Sequence, residues 1–166
     1  YSIFTPSFAK GMAALCAYAD IIVPNITEAA FLLGESYRPG PYRPAYIEDL
    51  LKGLAALGPR QVVMTGVYFQ EEHLGAAVYD RAAGIDFAFS KKIQGMYHGT
   101  GDVFASALLG AMLNGFMLLD AAQIAADFTA DSIRRTREAG TDVRFGVNFE
   151  QGLPEYIRSL GLLRKL

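Results

Sequence analysis

Residues 98–104 read His-Gly-Thr-Gly-Asp-Val-Phe and open a run of small and apolar residues that ends near Gly115. Two glycines, a hydroxyl and a carboxylate stand where a helix should begin. Such a start offers backbone N–H groups to an anion, and it sets a base, Asp102, beside them. A phosphoryl group in transfer spreads negative charge over its oxygens, which peptide dipoles can stabilise. The attacking hydroxyl must lose a proton, and Asp102 can take it. The same carboxylate could instead cap the helix, with the glycines forming an ordinary tight turn. No Lys-Ser/Thr pair follows the glycines, so this is not a Walker loop. The spacing also excludes a dinucleotide fingerprint.

Two further segments carry candidate groups. In Pro24-Asn25-Ile26-Thr27-Glu28 a strand ends and a helix begins, and ligands of open parallel sheets bind at such strand ends. Glu28 could hold Mg2+ through waters, the usual manner for that ion; Asn25 or Thr27 could equally be a helix cap with Glu28 in the first turn. Thr65-Gly66 ends another strand, where the hydroxyl could reach a phosphate or simply close a turn. Lys91 and Lys92 precede the glycine turn and could attract phosphates or stand as a solvated pair. His98 could neutralise phosphate or bond to backbone; His73 is assigned no role. The chain has no His/Cys set for zinc and no Ser-His-Asp arrangement.

These groups need elements to position them. Phe8, Met12, Leu15, Cys16 and Ala19 recur at helical spacing, predicting an amphipathic helix over 7–19 with Cys16 in the core. A short strand over Asp20–Val23 stops at Pro24. A helix over Thr27–Leu33 closes at Gly34. Residues 35–44 hold three prolines and read as a loop. Ile47, Leu50, Leu51, Leu54 and Leu57 mark a second helix, stopped by Gly58-Pro59. A buried strand covers Gln61–Thr65. Segments 74–79 and 85–90 form a hairpin about Asp80–Gly84. Then come helices over Thr100–Gly115, Leu119–Glu138 and Phe149–Leu160. The second has Asp120 in its first turn, Arg134, Arg135 and Arg137 in its last, and Gly140 just beyond, in keeping with the helix dipole. Helix–strand–helix–helix–strand order suits parallel strands with helical crossovers, and no repeat or linker divides the chain.

Composition bounds the possibilities. With 166 residues, 52% hydrophobic and 19% charged, the chain can bury a sizeable core. A net charge of −2 gives no electrostatic pull toward nucleic acid or anionic membrane. The most apolar stretch, 103–119, contains Ser106 and Asn114 and suits a helix buried in protein rather than lipid. Cys16 is the sole cysteine, so no disulfide framework exists. The chain opens at Tyr1, a few residues before its first helix, and is expected to be the later part of something longer.

Taken in order, Asp20-Ile21-Ile22-Val23-Pro24-Asn25-Ile26-Thr27-Glu28-Ala29, Val62-Val63-Met64-Thr65-Gly66-Val67 and Gly99-Thr100-Gly101-Asp102-Val103-Phe104 closely resemble the ribokinase-like superfamily. Within it they most resemble the pyridoxal/pyridoxamine kinases. The resemblance implies a three-layer α/β/α fold with a mostly parallel central sheet, of which residues 1–166 are the C-terminal, ATP-binding portion of a single domain. It implies ATP and Mg2+ as cofactors. Asp102 would deprotonate the substrate, and the amides around Gly99, Thr100 and Gly101 would form the anion hole. Asn25 and Glu28 would organise Mg2+ and its waters, and Thr65 would touch the ATP phosphates. The implied reaction is phosphorylation of the 5′-hydroxymethyl group of pyridoxal, pyridoxine or pyridoxamine by a cytoplasmic homodimer. Two alternatives stand beside it: a hydroxymethylpyrimidine kinase of the same superfamily, and a non-catalytic nucleotide-binding module.

Overall fold

The structure, a computed structural model, describes residues 5–163. The chain forms two compact units, Tyr1–Phe87 and Ala88–Leu166. The boundary falls inside a strand and not at a linker.

In the first unit, α1 (Pro6–Cys16) starts where Thr5 Oγ1 accepts the Phe8 N–H at 3.2 Å. It ends three residues short of the predicted Ala19. The N–H groups of Tyr18 and Ala19 bond to Leu15 and Cys16 carbonyls, three residues back, which tightens the chain into a turn. Cys16 is buried as expected, but Phe8, Met12 and Leu15 are 42%, 39% and 60% exposed. Helical spacing records which residues share a face; it does not supply what covers that face.

β1 (Ile21–Ile22) is shorter than the predicted strand and pairs in parallel with the start of β2 (Gln61–Val67), Ile21 opposite Gln61. Between them lie α2 (Ile26–Leu33) and α3 (Pro44–Ala56). Gly34 stops α2 with a left-handed φ of 69°, as its position suggests. Helix α3 takes Pro44 in its first turn, where a missing N–H costs nothing. Its stripe Ile47, Leu50, Leu51 and Leu54 is fully buried, as are Val62, Val63 and Met64 of β2; these residues are the core of this unit. The proline loop before α3 is pinned by Tyr42, whose N–H bonds to Tyr68 O at 3.0 Å and whose ring meets that of Tyr68 edge-on at 5.4 Å.

β3 (His73–Asp80) runs antiparallel to β2, and β4 (Gly84–Lys91) follows across the predicted Asp80–Gly84 turn. Asp80 Oδ1 holds that turn by accepting the N–H groups of Ala82 and Ala83 at 2.7 and 3.2 Å. Sheet order is β1-β2-β3-β4. The mixed α/β class is as expected. Among the described residues of this portion, parallel pairing joins β1 to β2 and continues at Asn25 and Thr65, while β2 and β3 are antiparallel. A hairpin turn reverses the chain, whereas a parallel neighbour needs a helical crossover.

In the second unit, α4 (Thr100–Leu113) packs on α5 (Leu118–Ala139). Small residues let the helices approach: Ala107 and Ala111 on α4, Ala121, Ala122 and Ala125 on α5, all buried. Gln123 Nε2 donates to Phe89 O at 3.0 Å and Ser90 bonds to Asp127, fastening the end of β4 to α5. The predicted last helix divides into a 3-10 turn, Glu150–Gly152, and α6 (Leu153–Ser159), with Pro154 in the first turn of α6. Tyr156 fixes α6 by donating its hydroxyl to Ala107 O at 2.8 Å. Gly110 makes room for it, as a Cβ there would collide with the Tyr156 hydroxyl.

Candidate active site

The first unit brings Asn25, Glu28 and Thr65 together. Thr65 N–H bonds to Pro24 O at 2.9 Å, and Asn25 and Thr65 face each other in an isolated parallel bridge. Two strand ends therefore sit side by side where α2 begins. Asn25 is the N-cap: its Oδ1 accepts the Glu28 N–H at 2.9 Å, and Glu28 Oε2 accepts the Asn25 N–H at 2.9 Å. This reciprocal pair is a capping box. The helix-start explanation for these residues is thus realised, and it leaves Glu28 Oε1 without a hydrogen bond among the described residues. Glu28 also lines a largely apolar cavity of about 370 Å³ with Phe8, Met12, Ile22 and Val23.

At Thr65 the β2–β3 register slips, and Gly66 follows with a φ of 79°. Thr65 still pairs with Ala76 and Val67 with Gly75, so Gly66 is the extra, unpaired residue that bends the strand just past Thr65. Gly66 is exposed. No group of three His, Cys, Asp or Glu side chains that could cage a metal occurs among the described residues. One oriented carboxylate beside a free strand end suits Mg2+, which keeps several waters and takes one or two carboxylates together with substrate phosphates.

The second unit brings Gly99, Thr100, Gly101 and Asp102 together at the start of α4. Gly99 is the N-cap, with a left-handed φ of 75° and no side-chain cap bond. Asp102 is therefore three residues inside the cap and does not serve as it, which removes the capping explanation for its carboxylate. Asp102, Gly99 and Gly101 are exposed. The first N–H groups of any helix have no intrahelical acceptor, and among the described residues no side chain caps them. A Cβ at Gly101 would meet nothing within 4 Å, and its φ is not left-handed, so the fold does not require glycine there. What glycine does at 101 is leave the face of the turn clear. His98 is exposed beside it, and Lys91 is exposed at the end of β4.

Sequence reasoning missed Gly146. Its Cα lies 4.0 Å from where a Cβ on Gly99 would stand, so the turn after α5 passes close to the glycine turn. No local pattern links two residues so far apart in the chain.

The sequence model for phosphomethylpyrimidine kinase matches residues 3–146, which includes both groups of candidate residues. The chain belongs to the phosphomethylpyrimidine kinase family. A hydroxymethylpyrimidine/phosphomethylpyrimidine kinase of Aquifex aeolicus is 27% identical over 124 residues, 73% of this chain and 46% of that protein. Among solved structures, the pyridoxal kinase of Lactobacillus plantarum is 29% identical with a TM-score of 0.83, over 95% of this chain and 56% of its own. The pyridoxal kinase of Bacillus subtilis in an ADP complex is 26% identical with a TM-score of 0.68, over 80% of this chain and 51% of its own. The ribokinase-like resemblance therefore holds for fold and family. As a phosphomethylpyrimidine kinase family member the chain is a partial one, spanning about half the length of these relatives.

Proposed function

We propose that the protein is an ATP-dependent kinase that phosphorylates a hydroxymethyl group on a heteroaromatic ring, with pyridoxal and its vitamers as substrates. The observation that carries this reading is the start of α4: a glycine N-cap without a side-chain cap, a clear face at Gly101, and an exposed Asp102 within the first turn. The alcohol oxygen attacks the terminal phosphorus of ATP, the bond to the bridging oxygen breaks, and ADP leaves. Asp102 takes the alcohol proton. The amides of Thr100 and Gly101 take the charge that builds on the transferred group.

In the first unit, Thr65 offers a hydroxyl to phosphate at a bent strand end. Asn25 and Glu28 would hold Mg2+ through its waters, Glu28 supplying the carboxylate that the capping box has already oriented. The ion would neutralise phosphate charge. The L. plantarum pyridoxal kinase, alike over 95% of this chain, supports the vitamer substrate. The family match and the A. aeolicus relative favour a second reading, hydroxymethylpyrimidine as the alcohol.

The test uses the full-length protein as its gene encodes it, offered pyridoxal and hydroxymethylpyrimidine side by side with MgATP. Faster turnover of pyridoxal supports the first substrate, and faster turnover of the pyrimidine replaces it with the second. Asp102→Asn should lower turnover by at least about 100-fold, the usual scale for a lost general base, while ADP binding by calorimetry stays within about twofold. Near-normal turnover in that variant overturns the role of Asp102. Absence of any adenine-nucleotide binding by the wild type overturns the kinase reading.

A further inference from the structure

Helix α5 fully encloses two hydroxyls, Ser132 and Thr136, both 0% exposed, on a buried side that also carries Thr129, Leu118, Phe128 and several alanines. A buried hydroxyl is costly unless bonded, so where these bonds go says what the hydroxyls hold. Each donates to a carbonyl one turn back, Ser132 Oγ to Phe128 O at 2.8 Å and Thr136 Oγ1 to Ser132 O at 2.7 Å. That places the protons and leaves the oxygens as acceptors. Thr136 Oγ1 accepts the backbone N–H of Asn148 at 2.8 Å. Ser132 Oγ accepts from Arg135 Nη2 at 3.2 Å, and Arg135 Nε donates to Asn148 O at 3.2 Å. Asn148 Nδ2 donates to Thr141 Oγ1 at 3.0 Å. One residue is thus held at its N–H, its carbonyl and its side chain.

Asn148 stands two residues past Gly146, whose backbone passes close to the glycine turn. A Cβ built on Gly99 would sit 4.0 Å from Gly146 Cα, and one built on Gly146 would sit 4.0 Å from His98 O. Gly146 has φ 92° and ψ −165°, a conformation open to glycine. The Gly99 turn has no side-chain cap of its own, so this contact supplies a support from outside α4.

We infer that Thr136, Arg135 and Asn148 are positioning residues for the anion-binding turn. They anchor the 141–148 segment to α5 so that Gly146 braces Gly99 and keeps the amides of residues 100–102 aimed at phosphate. Preorganised donors stabilise developing charge without having to reorient, and small misplacements of such groups weaken them steeply. This rests on the kinase reading for its ligand, but the brace itself is a mechanical claim with its own readout.

The experiment compares wild type, Thr136→Val and Thr136→Ser in the full-length protein. Thr136→Val keeps the shape and removes the acceptor; Thr136→Ser restores the hydroxyl. Thr136→Val should raise the Kd for a non-hydrolysable MgATP analogue and the KM for ATP about fivefold, the affinity equivalent of one lost hydrogen bond. Turnover at saturating ATP should change less than KM. Amide hydrogen exchange at residues 99–102 should quicken in the same variant, and Thr136→Ser should match wild type in both measurements. Should Thr136→Val fail to fold, Arg135→Lys removes the bond to Asn148 O from a half-buried side chain and is read in the same way. Unchanged affinity and unchanged exchange in a folded Thr136→Val, or a serine variant as weak as the valine one, overturns the inference. A wild type that binds no adenine nucleotide overturns the kinase reading instead, and the exchange contrast still decides the brace.

Discussion

Glu28 Oε2 accepts the Asn25 N–H, and Asn25 Oδ1 accepts the Glu28 N–H, each at 2.9 Å. The pair closes the start of α2 and at the same time turns a carboxylate toward the paired ends of β1 and β2. The stability of the cap and the proposed Mg2+ role of Glu28 therefore fall on the same two side chains, and substitutions can separate them.

Asn25→Ala removes a cap bond and should lower unfolding free energy by about 1 kcal/mol, measured by chemical denaturation. Glu28→Gln keeps an acceptor for the Asn25 N–H and should leave stability within about 0.5 kcal/mol, because glutamine also closes a capping box. Its nucleotide affinity should become nearly independent of Mg2+. A Glu28→Gln protein whose ADP affinity still responds to Mg2+ as wild type does removes Glu28 from the metal role.

Gly99 and Gly101 should respond in opposite ways. Alanine at 99 must take a φ of 75°, which costs about 1–2 kcal/mol for an L residue. Alanine at 101 meets no neighbour within 4 Å and should stabilise the protein by up to about 1 kcal/mol, through lower entropy of the unfolded chain. Yet Gly101→Ala should weaken binding of a non-hydrolysable ATP analogue, because a methyl group there would crowd the proposed place of the terminal phosphate. Thermal denaturation with calorimetric titration checks both. A Gly101→Ala variant that is more stable and binds the non-hydrolysable ATP analogue as well as wild type overturns the anion-hole role of that residue.

Tyr42 gives an alkaline limit to stability. Burial, then the hydrogen bond with Tyr37 and the neighbouring tyrosines, push its phenol well above the usual range. The folded protein keeps that proton at a pH where the unfolded chain, with a phenol near 10, has released it. The stabilisation is whole below about pH 10 and falls as pH rises beyond it. Tyr42→Phe should flatten the loss of stability above about pH 10, read from denaturation midpoints across pH 8 to 11. An unchanged alkaline slope would exclude Tyr42 as its source.

Much of this was legible because it is local. Gly34 and Gly140 close helices with left-handed φ of 69° and 62° at their expected positions, since such a C-cap needs only the residue itself and the turn before it. Asp80 to Gly84 reversed the chain for a similar reason. The stripe of α3 pointed inward because its spacing matches the helix. The α1 stripe misled: the same spacing left Phe8, Met12 and Leu15 exposed, as periodicity does not name a partner. Arg135 was placed by its charge near a helix end, but the structure uses it to hold the carbonyl of Asn148.

From the residues alone came the glycine turn with its acid, the strand end with Asn25 and Glu28, and the order of elements around them, since each depends on neighbours a few positions apart. Tertiary structure decided that Thr65 lies beside Asn25 and that Gly146 comes close to Gly99. Those outcomes depend on backbone bonds and close approaches between segments tens of residues apart, which no local propensity encodes.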